Sequence, residues 1–106
     1  MPYPIELPRA ETVTHIAGAG PYSIVHVQNG KPLLLSKTLW KLESDYPDFV
    51  RVHKRNLINP HYVEKYIRWN DGEPRGMVLM KNGIGLPVAR RRIKALIPKQ
   101  TNGEIQ

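Results

Sequence analysis

"DFVRVHKRNLINPHYVEKY", residues 48–66, decides the fold. Val50 and Val52 alternate with Arg51 and His53, a period of two that turns the valines inward along a strand and leaves Arg51 and His53 outward. Lys54 and Arg55 extend the cationic run, the apolar pair Leu57 and Ile58 follows, and Asn59-Pro60 breaks the stretch before "YVEKYIRW", residues 62–69, which reads as another strand.

On either side the chain keeps this short-strand rhythm. Ten prolines, eight glycines and several Asn-Gly or Asp-Gly steps punctuate 106 residues about every ten positions, the spacing of strands joined by tight turns. "YSIVHVQNGKPLLLSK", residues 22–37, reads as a hairpin whose turn takes its positive φ from Asn29-Gly30. "NDGEPRG", residues 70–76, reads as a turn or loop, and "MVLM" with "IGLPV" makes a second hairpin around Asn82-Gly83. Two segments change period. Residues 36–45 cluster Leu39, Trp40 and Leu42 on one side, with Ser36 as N-cap and Pro47 as the stop, and predict a short helix. "ARRRIKALI", residues 89–97, predicts a short C-terminal helix with Ile93, Leu96 and Ile97 inward. The expected architecture is mostly β, one domain over 10–97, with an extension at 1–9 and a frayed tail at 98–106.

Charge localises the working surface. Sixteen Lys and Arg against nine Asp and Glu give +7, a balance suited to an anionic partner. Residues 49–99 hold twelve of the cations and three of the acids, 12 − 3 = +9, so the remainder of the chain is slightly acidic. Arg90, Arg91 and Arg92 form the densest cluster, and guanidinium groups suit phosphate forks or the O6 and N7 edge of guanine. With Arg51, Lys54, Arg55, Lys65 and Arg68 in the same half, one anion-binding face accounts for them together.

Other chemistry finds little purchase. His15, His26, His53 and His61 show no paired spacing for a metal and no adjacent carboxylate at ligand spacing, and there is no cysteine. No nucleophile elbow, dinucleotide fingerprint or phosphate loop occurs, so neither an enzyme nor a cofactor is expected. The longest apolar run, Leu33 to Leu35, is far too short to span a bilayer, and the first eleven residues lack a signal peptide's features, which predicts a cytoplasmic protein with no membrane role. Trp40 and Trp69 read as core-facing, and the aromatic residues as core rather than as stacking platforms.

Residues 48–66, followed after a loop by "MVLMKNGIGLPVARRRIKAL", resemble the LytTR family of bacterial DNA-binding domains. The matching phrase is apolar, Arg, apolar, His, basic, then an apolar pair and Asn, here Val50 to Lys54, Leu57, Ile58 and Asn59; the later phrase is Gly83, then Leu86, Pro87, Val88, Ala89, Arg90 and Arg91. The resemblance covers about residues 10 to 97 and implies small packed antiparallel sheets that read double-stranded DNA through loops in successive major grooves. It implies base contacts from Tyr22, Lys54 and Arg90 and phosphate contacts from Arg51, His53, Arg55, Arg91 and Arg92. It further implies a response-regulator role in a two-component system, a homodimer or tandem pair on repeated half-sites, and, for so short a chain, a separate sensor or receiver protein. Pro21, Arg55, Asn56 and Ala89 depart from the family's usual residues. Two alternatives stay open: a small β-rich RNA-binding or ribosome-associated module, and a protein-interaction domain that has lost DNA binding.

Overall fold

Short strands and tight turns carry most of the chain in the computed structural model, which describes residues 6–70 and 72–97. Residues 1–5 of the expected extension and the whole expected tail, 98–106, lie outside the described residues. Strands β1 (Val13–Ala19), β2 (Tyr22–Val27), β3 (Leu33–Leu35), β4 (Val50–His53) and β5 (Asn56–Ile58) form one antiparallel sheet, in the order β3-β2-β1-β5-β4. A second antiparallel sheet has β6 (Val63–Asn70), β7 (Pro74–Met80) and β8 (Gly85–Val88) in that order. The helices are short, α1 (Leu39–Asp45) and the single turn α2 (Ile93–Leu96).

The five-stranded sheet is the middle layer. Its strands are flanked on both sides along part of their length, and adjacent residues on β5 serve opposite cores: Leu57 packs with Ile16, Val25, Leu35, Leu39 and Leu42 beneath α1, while Ile58 packs with Val52, Val78, Met80, Val88, Ile93 and Ile97 toward the second sheet. This explains why the apolar pair in residues 57–58 does not alternate with polar residues. Each such aliphatic side chain contributes about 1.5–3 kcal/mol on full burial.

Asn59 accounts for the Asn-Pro that ends the opening stretch. It is buried, its Oδ1 accepts from the His61 amide at 3.0 Å, and its Nδ2 donates to the carbonyls of Val13 at 2.8 Å and Ala10 at 3.1 Å. Pro60 then opens a 3₁₀ turn, where its missing N–H leaves no unmet donor. Upstream, Leu7 packs on the first core and the Tyr46 hydroxyl donates to the Pro8 carbonyl at 2.6 Å, so packing begins before residue 10.

Several local expectations need correction. The helix starts at Leu39, capped by Thr38, whose hydroxyl accepts from the Lys41 amide at 3.4 Å; Ser36, three residues before Leu39, is exposed and does not cap. Trp40 is not a core residue: Leu39 and Leu42 face the sheet, and one step of about 100° turns the indole outward, 72% exposed. The β2–β3 connection does take its positive φ from the Asn29-Gly30 step, at Asn29 (59°). The expected loop at 70–76 is shorter, because β7 begins at Pro74 and Gly76 is needed in the strand: a Cβ there would lie 2.9 Å from Ile97 Cδ1 and 3.2 Å from Ile93 Cγ1. The expected C-terminal helix divides into a 3₁₀ turn, Arg90–Arg92, and α2, with Ile93 and Ile97 buried as expected.

Candidate nucleic-acid interface

Three chain reversals converge around β4. In the first, Gly20 (φ 65°) and Pro21 join β1 to β2, a two-residue turn with glycine at the position that requires positive φ. Tyr22 stands at its foot, paired with Ala19 and 46% exposed. In the second, Lys54 and Arg55 join β4 to β5, with His53 opposite Asn56. The third is the passage from β8 through Ala89 into the arginine turn.

The Lys54-Arg55 turn lacks the positive φ angles that two-residue hairpins favour, and side chains hold it instead. Arg51 lies along it: Nε donates to the His53 carbonyl at 2.8 Å, Nη2 to the Lys54 carbonyl at 2.7 Å, and Nη1 pairs with Glu43 of α1 at 3.0 Å. The Arg55 amide donates to His53 Nδ1 at 3.1 Å, which makes Nδ1 the acceptor and leaves Nε2 to carry the proton of the neutral ring. Burial, then the charges of Lys54, Arg55 and Arg51, push the His53 pKa below the ordinary histidine value. His53 is therefore neutral in the free protein near pH 7, a donor through Nε2.

Backbone bonds tie the three reversals together. The Gly18 amide donates to the Arg55 carbonyl at 2.8 Å, joining the first turn to the second. The Ala89 amide donates to the Val52 carbonyl at 2.7 Å, and Arg92 Nη1 to the Arg51 carbonyl at 3.1 Å, joining the third to β4. Two depressions flank the central turn. One, about 610 Å³, is lined by residues that include Gly18, Gly20, Trp40, Lys54 and Arg55. The other, about 290 Å³, gathers His53, Arg75, Gly76, Ala89 and Arg90.

The expected contact residues thus fall into distinct settings. Lys54, Arg55 and Arg91 are exposed, and among the described residues their side chains have no hydrogen-bond or ion-pair partner. Arg90 is exposed but pairs with Glu73 of the β6–β7 connection at 2.6 Å. Arg92 is half-buried against β4. Arg51, expected at a phosphate, instead has a donor on each of its three nitrogens engaged within the protein. Arg68 must be removed from the anion-binding face: it is 6% exposed and donates to the Ile97 carbonyl at 2.9 Å, at the end of α2. Lys65 is exposed on β6 and lines neither depression. Two residues that line the depressions escaped the sequence reading: Arg75, whose only signal was its charge, and Trp40, hidden by its place beside two core leucines.

A model of the LytTr DNA-binding domain matches residues 5–99, nearly the whole chain. The chain belongs to the LytTR family of DNA-binding domains. DNA is thereby its class of partner, and the family is not a class of enzymes. Among solved structures, the LytTR chain resembles the LytTr DNA-binding domain of a methyl-accepting/DNA response regulator from Bacillus cereus, with a TM-score of 0.69 at 17% identity over 89% of this chain and 87% of that one. That likeness establishes the mostly β fold with its two antiparallel sheets. No curated protein matches the sequence. Among the described residues no helix of this LytTR domain is long and apolar enough to cross a membrane, and no group of three or more His, Asp or Glu is placed to hold a metal ion.

Proposed function

We propose that the chain is the sequence-reading output domain of a LytTR transcription regulator, and that the β1–β2 turn, the β4–β5 turn and the start of the arginine turn are its reading loops. The observation that carries this is that Gly18–Arg55 bonds β1 to the β4–β5 turn while Ala89–Val52 and Arg92–Arg51 bond the third passage to β4, so that the unpaired Lys54, Arg55 and Arg91 stand on neighbouring loops.

In this reading Lys54 and Arg90 donate to base edges in successive major grooves, with Tyr22 beside the first turn, and each well-aligned contact is worth about 1–3 kcal/mol of discrimination. His53, Arg55, Arg91 and Arg92 take phosphates, which position the domain without carrying sequence information. Arg51 acts from beneath, keeping Lys54 and Arg55 presented. Two copies occupy repeated half-sites, and a sensor or receiver supplies the input.

Mobility shifts on a randomised duplex library test the division of labour. Lys54→Ala and Arg90→Ala relax sequence preference, whereas Arg91→Ala weakens all duplexes alike. Loss of affinity with unchanged preference in all three variants removes the base-reading assignment. Tighter binding of single-stranded RNA than of duplex DNA at equal salt would instead select the RNA-binding alternative.

A further inference from the structure

Among the described residues Trp40 is the most exposed of the large apolar side chains. It contributes little to the fold, since Leu39 and Leu42 supply the core face of α1 and its neighbour Lys41 is a solvated polar residue. An indole left in water at this site gains nothing for stability, but it lines the larger depression together with Lys54 and Arg55, and no acidic residue is among the lining residues. The rest of the lining is Gly18 to Gly20, Thr38, Leu39 and the engaged Arg51.

The depression, about 610 Å³, therefore offers a flat apolar surface with one N–H and two free cations. A sugar-phosphate strand has the complementary pattern, an anion followed by the apolar C–H face of a deoxyribose at every nucleotide. A free phosphate would leave the indole unused, and a bilayer would need more than one apolar anchor.

We propose that Trp40 is a DNA-contact residue: its indole packs on the deoxyribose next to the phosphate held by Arg55, and so fixes where Lys54 enters the groove. The inference rests on the DNA-binding reading above and adds a contact that is not electrostatic. Its energetic signature differs accordingly. Removing a phosphate contact lowers the slope of log affinity against log salt by about 0.9, whereas removing an apolar contact lowers affinity at every salt concentration and leaves the slope alone.

The test uses a duplex that the protein itself recovers from a randomised library. In a Trp69→Phe background, Trp40 is the sole fluorophore of its kind, and its emission changes on adding the duplex. Trp40→Ala weakens binding about tenfold, the scale of an aromatic side chain's partial burial, with an unchanged salt slope; Arg55→Ala reduces the slope. Because the fluorescence is read without altering Trp40, it stands even if Trp40→Ala were to misfold. If wild-type protein binds the duplex while Trp40 stays silent and Trp40→Ala binds equally well, the inference falls and the DNA-binding reading survives. If no duplex is recovered, both fall. Quenching by single-stranded but not duplex DNA would assign the indole to an unstacked base and overturn the sugar contact.

Discussion

Replacing Arg51 by lysine separates two roles that charge alone cannot distinguish. A phosphate contact needs a cation at this position, and lysine supplies one; a clamp on the β4–β5 turn needs the forked geometry of guanidinium, and lysine does not. Two carbonyl bonds, at 2.8 and 2.7 Å, are lost or weakened along with the 3.0 Å pair to Glu43. A hydrogen bond from a charged donor is worth about 1.5–3 kcal/mol, and the side chain's 19% exposure places each bond near the lower end. The pair with the partly solvated Glu43 adds under about 1 kcal/mol. Arg51→Lys is thus expected to cost about 2–3 kcal/mol, a fall in melting temperature of about 10–20 °C for a domain of this size. Urea unfolding at low and high salt provides the assay, and most of the loss persists at high salt because the carbonyl bonds are not an ion pair. A variant within about 0.5 kcal/mol of wild type would refute the clamp, 0.5 kcal/mol being the spread of ordinary surface substitutions.

Three further outcomes follow from the same geometry. Glu73→Gln frees Arg90 from an exposed pair and strengthens DNA binding by no more than about fivefold, measured by fluorescence anisotropy; weaker binding would mean that Glu73 aids Arg90 rather than competing for it. DNA affinity falls as pH rises through the histidine range, because a nearby phosphate favours the protonated ring against the burial and the neighbouring cations that depress His53, and binding then takes up a proton; His53→Gln flattens the profile, and an unaltered profile would place the phosphate elsewhere. Acid stability tests the stacked pair His15 and His26, whose rings lie 4.2 Å apart at 9°. Burial, and then His26, lower the His15 pKa to about 4. A base depressed in the folded state contributes stability that is whole above its unfolded pKa of about 6.5 and is lost on acidification toward 4, here about 3 kcal/mol. His15→Phe removes that loss from the unfolding free energy measured against pH, and an equally acid-sensitive variant would show that other groups cause it.

Much of this architecture could be read from the chain because the signals were local. Alternation through Val50 to His53, turns at Asn29 and Gly83, and the stop at Pro47 each rest on neighbours a few residues apart. What escaped depends on long-range packing. Arg68 carries the same charge as Arg55, and only the placement of Ile97, twenty-nine residues on, turns one inward and leaves the other free. Trp40 shares a helical segment with two core leucines, and only the packing of Leu39 and Leu42 on the sheet shows that the indole takes the other side. The Arg51 clamp is invisible in sequence because it acts on backbone carbonyls, which every residue has.

The central claim is that three loops act as one DNA-binding edge, and an amide chemical-shift titration with a selected duplex examines it most directly. The account predicts that resonances of Gly18 to Gly20, His53 to Arg55 and Ala89 to Arg92 move together at one stoichiometry. Shifts confined to a single loop, or centred instead on Ala10, Asp48 and His61, which line a separate depression with Asn59, would contradict it.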